Sequence, residues 1–447
     1  MNTPAPDPTV DHDTLVIGAG AAGLAAGRLL AKAGRSTLLL EARDRIGGRI
    51  FTRHVIPGGG ADPIPVELGA EFVHGMPAVT WSLLREGGLG TYELEGRPLR
   101  FADGRLGTGT PAESASDVLA RMMSWLEAQP AGTDMAFDDY LRLAGTDAQQ
   151  ATMARSYVEG FNAADAARIG VAALTRQQHA EDAIEADRIF HVRGGYDRLT
   201  AYLAGSLQEA GARIALEHVV RRIEWRAGRV VVSGTAPGGA FEHRARRAVI
   251  TLPLGVLQAR KVAFAPAPHR VLELADSLAM GSVVRVSLLF TTKPWRAHGD
   301  LGFLFAPGEP VPTWWTPMPD PAALLTGWAG GPRAEALDRR LRESADAPEL
   351  EEIALAELAK IFGSSTSALR AALVSAHRHD WQADEFALGA YSYAPAGALA
   401  ASTRMTEPVA DTLFFAGEHT DTEGHWGTVH AALASGVRAA GRILASP

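Results

Sequence analysis

The chain contains no cysteine. That one absence excludes disulfides, thiolate metal sites, cysteine nucleophiles and any cofactor joined through a cysteinyl thioether. Long apolar runs are missing too. No stretch approaches the roughly 20 apolar residues that span a bilayer, and Ala445-Ser446-Pro447 carries no hydrophobic anchor. Met1–Asp13 has proline and acid but lacks both the basic start and the apolar run of a secretory signal, and reads as a frayed tail. Positive charge is not in excess: the net charge is −8, whereas nucleic acid calls for a basic face. Internal repeats and low-complexity linkers are absent as well. Together these absences predict a cytoplasmic protein that binds neither nucleic acid nor membrane.

What is present is an ordinary globular composition, 47% hydrophobic and 21% charged over 447 residues. That length exceeds what one hydrophobic core usually fills, so two domains are expected.

The chemistry begins near the N-terminus. Thr14-Leu15-Val16-Ile17 is a short apolar run that fits a buried parallel strand. It leads into Gly18-Ala19-Gly20-Ala21-Ala22-Gly23, then a helical stretch from Leu24 to Ala33 that ends at Gly34. A second apolar run, Ser36–Leu40, finishes on Glu41. In this order each residue type has a task. Gly18 permits a tight turn, Gly20 lets a pyrophosphate approach the backbone, and Gly23 lets helix and strand pack closely. The helix N-terminus offers free N–H groups and a positive dipole end to phosphate. Glu41, about 20 residues on, is placed to accept hydrogen bonds from a ribose. Strand, glycines, helix, second strand and acid in sequence predict dinucleotide binding.

Directly after Glu41 comes Ala42-Arg43-Asp44-Arg45-Ile46-Gly47-Gly48-Arg49, which resembles the corresponding segment of the flavin monoamine oxidase superfamily. Val66-Glu67-Leu68-Gly69-Ala70-Glu71-Phe72-Val73-His74-Gly75 is similar to the segment that runs past the flavin in polyamine oxidases and lysine-specific histone demethylases. Leu413–Thr420, with Gly417 and Glu418, resembles the second FAD fingerprint of the family, and Gly427-Thr428-Val429 resembles the helix start beside the flavin. Weaker likenesses are Arg193-Gly194-Gly195-Tyr196, His218-Val219-Val220, Val249–Leu254 and Trp381–Tyr393. The likeness fades over about 86–190 and 296–375.

The resemblance implies a fold and a site. The fold is α/β: a Rossmann-like FAD-binding domain of the glutathione-reductase kind with an interleaved α+β substrate domain. The first would take 1–85, 190–260 and 376–447, the second 86–189 and 261–375. The cofactor implied is non-covalent FAD, held by Gly18, Gly20, Gly23, Glu41, Arg43, Gly48, Arg49, Gly69, Ala70, Glu71, Val220, Trp381, Gly417, Glu418, Thr428 and Val429. Ala390 falls where covalent members carry cysteine, so the flavin is expected to come off on denaturation. The reaction implied is hydride transfer from the α-carbon of an amine to flavin N5, with oxygen as acceptor and a polyamine or other small amine as substrate.

Tyr391 and Thr428 fall on the two positions that flank the flavin face. Arg285 falls where members usually carry a lysine below N5. Its planar fork of donors could hold the same water or take a substrate carboxylate. Glu71, His74, Phe161 and Trp426 fall in the substrate region; for Glu71, a substrate contact and a structural ion pair stand equal. The histidines His419, His425 and His430 lack ligand spacing, and no metal is expected. Three rivals remain open: an L-amino-acid oxidase using Arg285 or Arg53, a desaturase of the protoporphyrinogen-oxidase kind, and a flavin-bound sensor.

Overall fold

A computed structural model describes residues 10–57, 62–109, 112–343 and 349–446. Its larger sheet has eight strands and grows from the glycine-turn unit. His12–Ile17 pairs in parallel with Thr37–Leu40 on one side and with Gly239–Ile250 on the other. Arg213–Ala215 extends the first side, and Leu413–Phe415 joins Gly239–Ile250 in parallel. Leu15, Val16, Leu38, Leu39 and Val249 are wholly buried, as expected of central parallel strands covered on both faces. Val219–Arg226, Arg229–Ala236 and Gly239–Ile250 form an antiparallel meander, with a hairpin turn at Pro237-Gly238. The helices Ala21–Lys32 and Val429–Ala445 cross so closely that a Cβ on Gly436 would stand 2.1 Å from the Ala22 carbonyl oxygen.

A second sheet of seven strands runs from Leu373–His377 through Val283–Phe290, Leu324–Gly330, Thr313–Trp315, Leu301–Phe305 and Arg97–Ala102 to Arg105–Thr108. All eight residues of Val283–Phe290 are buried, Arg285 and Ser287 included. Val284, Val286, Leu288 and Phe290 pack into a core under the helices Pro332–Arg342 and Leu350–Phe362. Strand alternation therefore turns Arg285 to the opposite face. Four helices, Ala112–Glu127, Phe137–Leu143, Ala148–Asn162 and Val171–Ala183, contribute to a separate core around Val118, Met122, Phe137 and Val158.

The N-terminal tail is shorter than expected. His12 and Asp13 already belong to the first strand, and the Asp11 amide donates to the Arg244 carbonyl at 3.0 Å. Met1–Thr9 and Pro348, both included in sequence-based assignments, lie outside the described residues.

Glu67 is buried where the short hairpin Thr52–Val55/Ile64–Glu67 meets the Gly194-Gly195 turn. It accepts from the Thr52 hydroxyl at 2.6 Å and the Tyr196 amide at 2.8 Å. Burial nevertheless pushes its carboxyl up to about 8, against the pull of those two hydrogen bonds. The native state thus keeps a proton that the unfolded chain gives up near 4.5. The stability this confers is complete below the unfolded value and is lost as pH rises through about 8. A Glu67→Gln variant should therefore show a flatter decline in thermal midpoint between pH 5 and pH 8 than the parent, a difference on the order of a few kcal/mol at most. Parallel pH profiles for the two proteins would remove Glu67 as the cause.

Candidate active site

One cavity of about 1700 Å³ joins the two sheets and the helical region. It exceeds the roughly 300–1,000 Å³ of a drug-sized ligand site, so it has room for a dinucleotide and a substrate together.

At one end lies the glycine turn. Gly18 has φ +103°, a conformation that favours glycine. A Cβ on Gly20 would meet nothing nearer than the Gly47 carbonyl oxygen and Gly48 Cα at 3.9 Å, so it would fit without a clash, and no side chain caps the helix that starts at Ala21. Helix N–H groups so left free suit a phosphate. Gly23 does not line the cavity; its part is the close packing foreseen, since a Cβ there would stand 2.0 Å from the Gly18 carbonyl oxygen. Glu41 is buried and braced, accepting from the Ala19 amide at 2.8 Å and the Arg43 amide at 2.9 Å, and still borders the cavity. Arg43 pairs with Asp384 at 2.6 Å. These residues fit an adenosine and its pyrophosphate. Gly48, Val220, Gly417 and Val429 line the same space.

Further along, Arg49 donates to the Ala390 carbonyl at 2.7 Å and pairs with Glu418 at 3.0 Å. Glu418 also accepts from the Ser392 hydroxyl at 2.6 Å and the Gly427 amide at 3.0 Å. Burial opposes its ionisation, but the Arg49 charge, aided by the Ser392 hydroxyl, outweighs this and holds the carboxyl below its usual range. Trp381 is buried, donates to the Leu68 carbonyl at 2.8 Å and packs against Gly69. Gly69 and Ala70 border the cavity beside it.

The third part is an aromatic wall. Tyr391 donates its hydroxyl to the Phe161 carbonyl at 2.8 Å and its ring stacks against Trp328, centroids 6.4 Å apart and planes 16° apart. Phe161 in turn stacks on Tyr157 at 5.9 Å and meets His74 edge-on at 6.1 Å. Burial lowers the His74 imidazole to about 4, so it is neutral at ordinary pH. Trp426 lines the cavity with its indole N–H on the Ser402 hydroxyl at 3.0 Å. Thr428 borders the cavity, but its hydroxyl is engaged elsewhere: it donates to the His425 carbonyl at 2.7 Å and accepts from the Ala431 amide at 3.1 Å, capping the last helix.

Arg285 and Glu71 find each other. The Arg285 guanidinium donates to a Glu71 carboxylate oxygen and, at 2.8 Å, to the Gly69 carbonyl, with both side chains almost fully buried. The Trp315 ring lies 5.6 Å from its centre, and His191 stands 3.8 Å from the other Glu71 oxygen. This is the ion pair, one of the two roles open for Glu71, and the residue still lines the cavity. Arg53 is absent from the cavity wall; it is exposed, with Nη1 3.5 Å from the His377 ring. This corrects the reading in which Arg53 takes a substrate carboxylate. Sequence reasoning missed Trp328, Trp315 and His191. Each lies in a run without a motif, and only strand pairing, such as Arg285 opposite Trp328, brings them to the site.

A sequence model described as flavin containing amine oxidoreductase matches residues 21–444. The lysine-specific histone demethylase 1 homolog 2 of Oryza sativa subsp. japonica is 28% identical over 96% of the chain, which spans only 56% of that protein's length. Putrescine oxidase of Kocuria rosea is 26% identical over 73% of the chain and 75% of its own. Among solved structures, a double mutant of putrescine oxidase superimposes with a TM-score of 0.82 at 24% identity, covering 98% of this chain and 100% of that one. Cyclohexylamine oxidase from Brevibacterium oxydans gives 0.80 at 23%, covering 97% and 98%. At such identity the structural likeness speaks for the fold.

Proposed function

Because the chain belongs to the flavin-containing amine oxidoreductase family, whose cofactor is FAD, we propose that it is an oxidase of small amines, of the polyamine or other primary or secondary kind. The observation that carries this reading is the union, in one cavity, of the glycine-turn and Glu41 surface with the wall formed by Tyr391, Trp328, Phe161 and His74. On this reading 1–85, 190–260 and 376–447 make up a Rossmann-like FAD-binding domain, and 86–189 with 261–375 the substrate domain. Gly18, Gly20 and Glu41 hold the adenosine end, and Glu418, Arg49 and Trp381 hold the flavin end. Bound there, FAD would supply the redox chemistry, as acceptor of a hydride from the amine α-carbon, with oxygen as the final electron acceptor.

The chain's own residues have two tasks. The first is orientation: the flat stack of Tyr391 on Trp328 and the edge of Phe161 hold an alkyl amine with its C–H bond fixed. The second is to keep the amine uncharged. Burial away from water beside a neutral His74 disfavours an ammonium ion, lowering its pKa by desolvation. Loss of hydride then leaves an iminium, and water converts the imine to an aldehyde and releases the nitrogen as ammonia or a smaller amine. With no cysteine in the chain, no cysteinyl bond retains the flavin.

Anaerobic addition of polyamines, monoamines and amino acids to the yellow holoenzyme tests this. Fast bleaching by amines, with colour restored by air, is the expected result. Bleaching by amino acids alone would transfer the assignment to an L-amino-acid oxidase, and bleaching by none would end both readings.

A further inference from the structure

Six arginines border the cavity, and three of them pair with a carboxylate: Arg43 with Asp384, Arg49 with Glu418, Arg285 with Glu71. The third pair is set apart by its seclusion. Arg285 exposes 4% of its side chain and Glu71 7%, yet both line the cavity. A charge so placed is costly unless paired and hydrogen-bonded. Arg285 is also close to the aromatic wall. It sits opposite Trp328 across the strand pair, and Trp328 stacks on Tyr391.

A guanidinium here, with no partner, would be a ready receptor for a carboxylate, because its planar fork matches both oxygens. Glu71 already fills that place. Its second oxygen faces His191, whose ring is stacked on Tyr92 at 5.0 Å, so the carboxylate is backed from behind and cannot readily swing aside.

We propose that Glu71 is a specificity-determining residue: by neutralising Arg285 from within the protein, it denies a carboxylate-bearing substrate its anchor and restricts the site to amines without a carboxylate on the reacting carbon. The inference rests on the amine-oxidase reading of the cavity and deepens it. A neutral pair presents no net charge to the substrate, and an entering carboxylate would have to displace Glu71, leaving a second buried anion.

The test is binding of an unreactive carboxylate to the holoenzyme, followed by perturbation of the flavin spectrum. Benzoate is the probe, and benzamide, equal in shape without the charge, is the control. Glu71→Ala should tighten benzoate binding about tenfold or more, a gain of about 1.4 kcal/mol, while benzamide changes little. Adding Arg285→Met to Glu71→Ala should abolish the gain. Equal benzoate affinity in parent and Glu71→Ala would overturn the proposal, as would an equal gain for benzamide, which would signify added space alone. Should Glu71→Ala fail to retain flavin, Glu71→Gln keeps the shape and removes the charge; it should still favour benzoate over benzamide relative to the parent, and no change in that ratio would overturn the proposal. None of these titrations requires turnover, so they fail or succeed separately from the bleaching experiment.

Discussion

Gly23→Ala should purify without flavin and with its stability lowered by about 1–3 kcal/mol or more, the range for overpacking a filled interior. The reason is geometric. The added methyl would lie 2.0 Å from the Gly18 carbonyl oxygen and 3.0 Å from its carbonyl carbon, and both are backbone atoms that no rotamer change can move. Relief must come from shifting the turn itself. Gly18 is held there at φ +103°, its amide on the Leu40 carbonyl at 2.8 Å, so the first strand and the second move with it. Gly20→Ala is the instructive contrast. Its methyl would make only ordinary contacts, with the Gly47 carbonyl oxygen and Gly48 Cα at 3.9 Å, so folding should be unharmed. The methyl would instead project toward the space assigned to the pyrophosphate, and flavin affinity alone should fall. Flavin absorbance per protein and the thermal midpoint, measured on both variants, separate the two effects. A yellow, stable Gly23→Ala would mean that the turn is far more compliant than its contacts indicate.

The contrast also shows why this part of the molecule was legible in the sequence. The glycine turn is specified by neighbours a few residues away, and its residue types follow from backbone sterics. The strand at Thr14–Ile17 and the helix that follows the glycines were equally readable, because strand and helix signals act locally. Pairing over long range was not. Glu71 and Arg285 lie 214 positions apart, and nothing in either segment announces the other. Their meeting depends on strand alternation that turns Arg285 away from the Val284–Phe290 core. Thr428 was legible as a position beside the cavity, but not as a helix cap. Its hydroxyl is committed to a helix N-cap, a use that threonine favours at any helix start. The order of the seven-stranded sheet was likewise hidden, since it joins Arg97–Ala102 to Leu301–Phe305 across some 200 residues of chain.

Glu418→Ala should be the most damaging single change at the flavin end. Four donors converge on that carboxylate: Arg49, the Ser392 hydroxyl and amide, and the Gly427 amide. Truncation leaves all of them without this acceptor in a buried place. Breaking a buried pair of this kind costs about 3–5 kcal/mol, with the lower end expected because Arg49 keeps 23% of its side chain in contact with the cavity or solvent. Glu418→Gln separates charge from shape. The amide oxygen still accepts from Arg49 or Ser392, but its NH2 group cannot accept from the remaining donors, so the loss should be intermediate. The two proteins should also differ in their response to acid. The Arg49 charge holds the native Glu418 carboxyl below the 4.5 of the unfolded chain despite its burial. Its contribution is therefore complete above pH 4.5 and fades as pH falls through the native value. The stability gap between parent and Glu418→Gln should accordingly be widest near neutrality and close on acidification. A gap that persists unchanged into acid would mean that packing, and not the carboxylate charge, is what Glu418 provides.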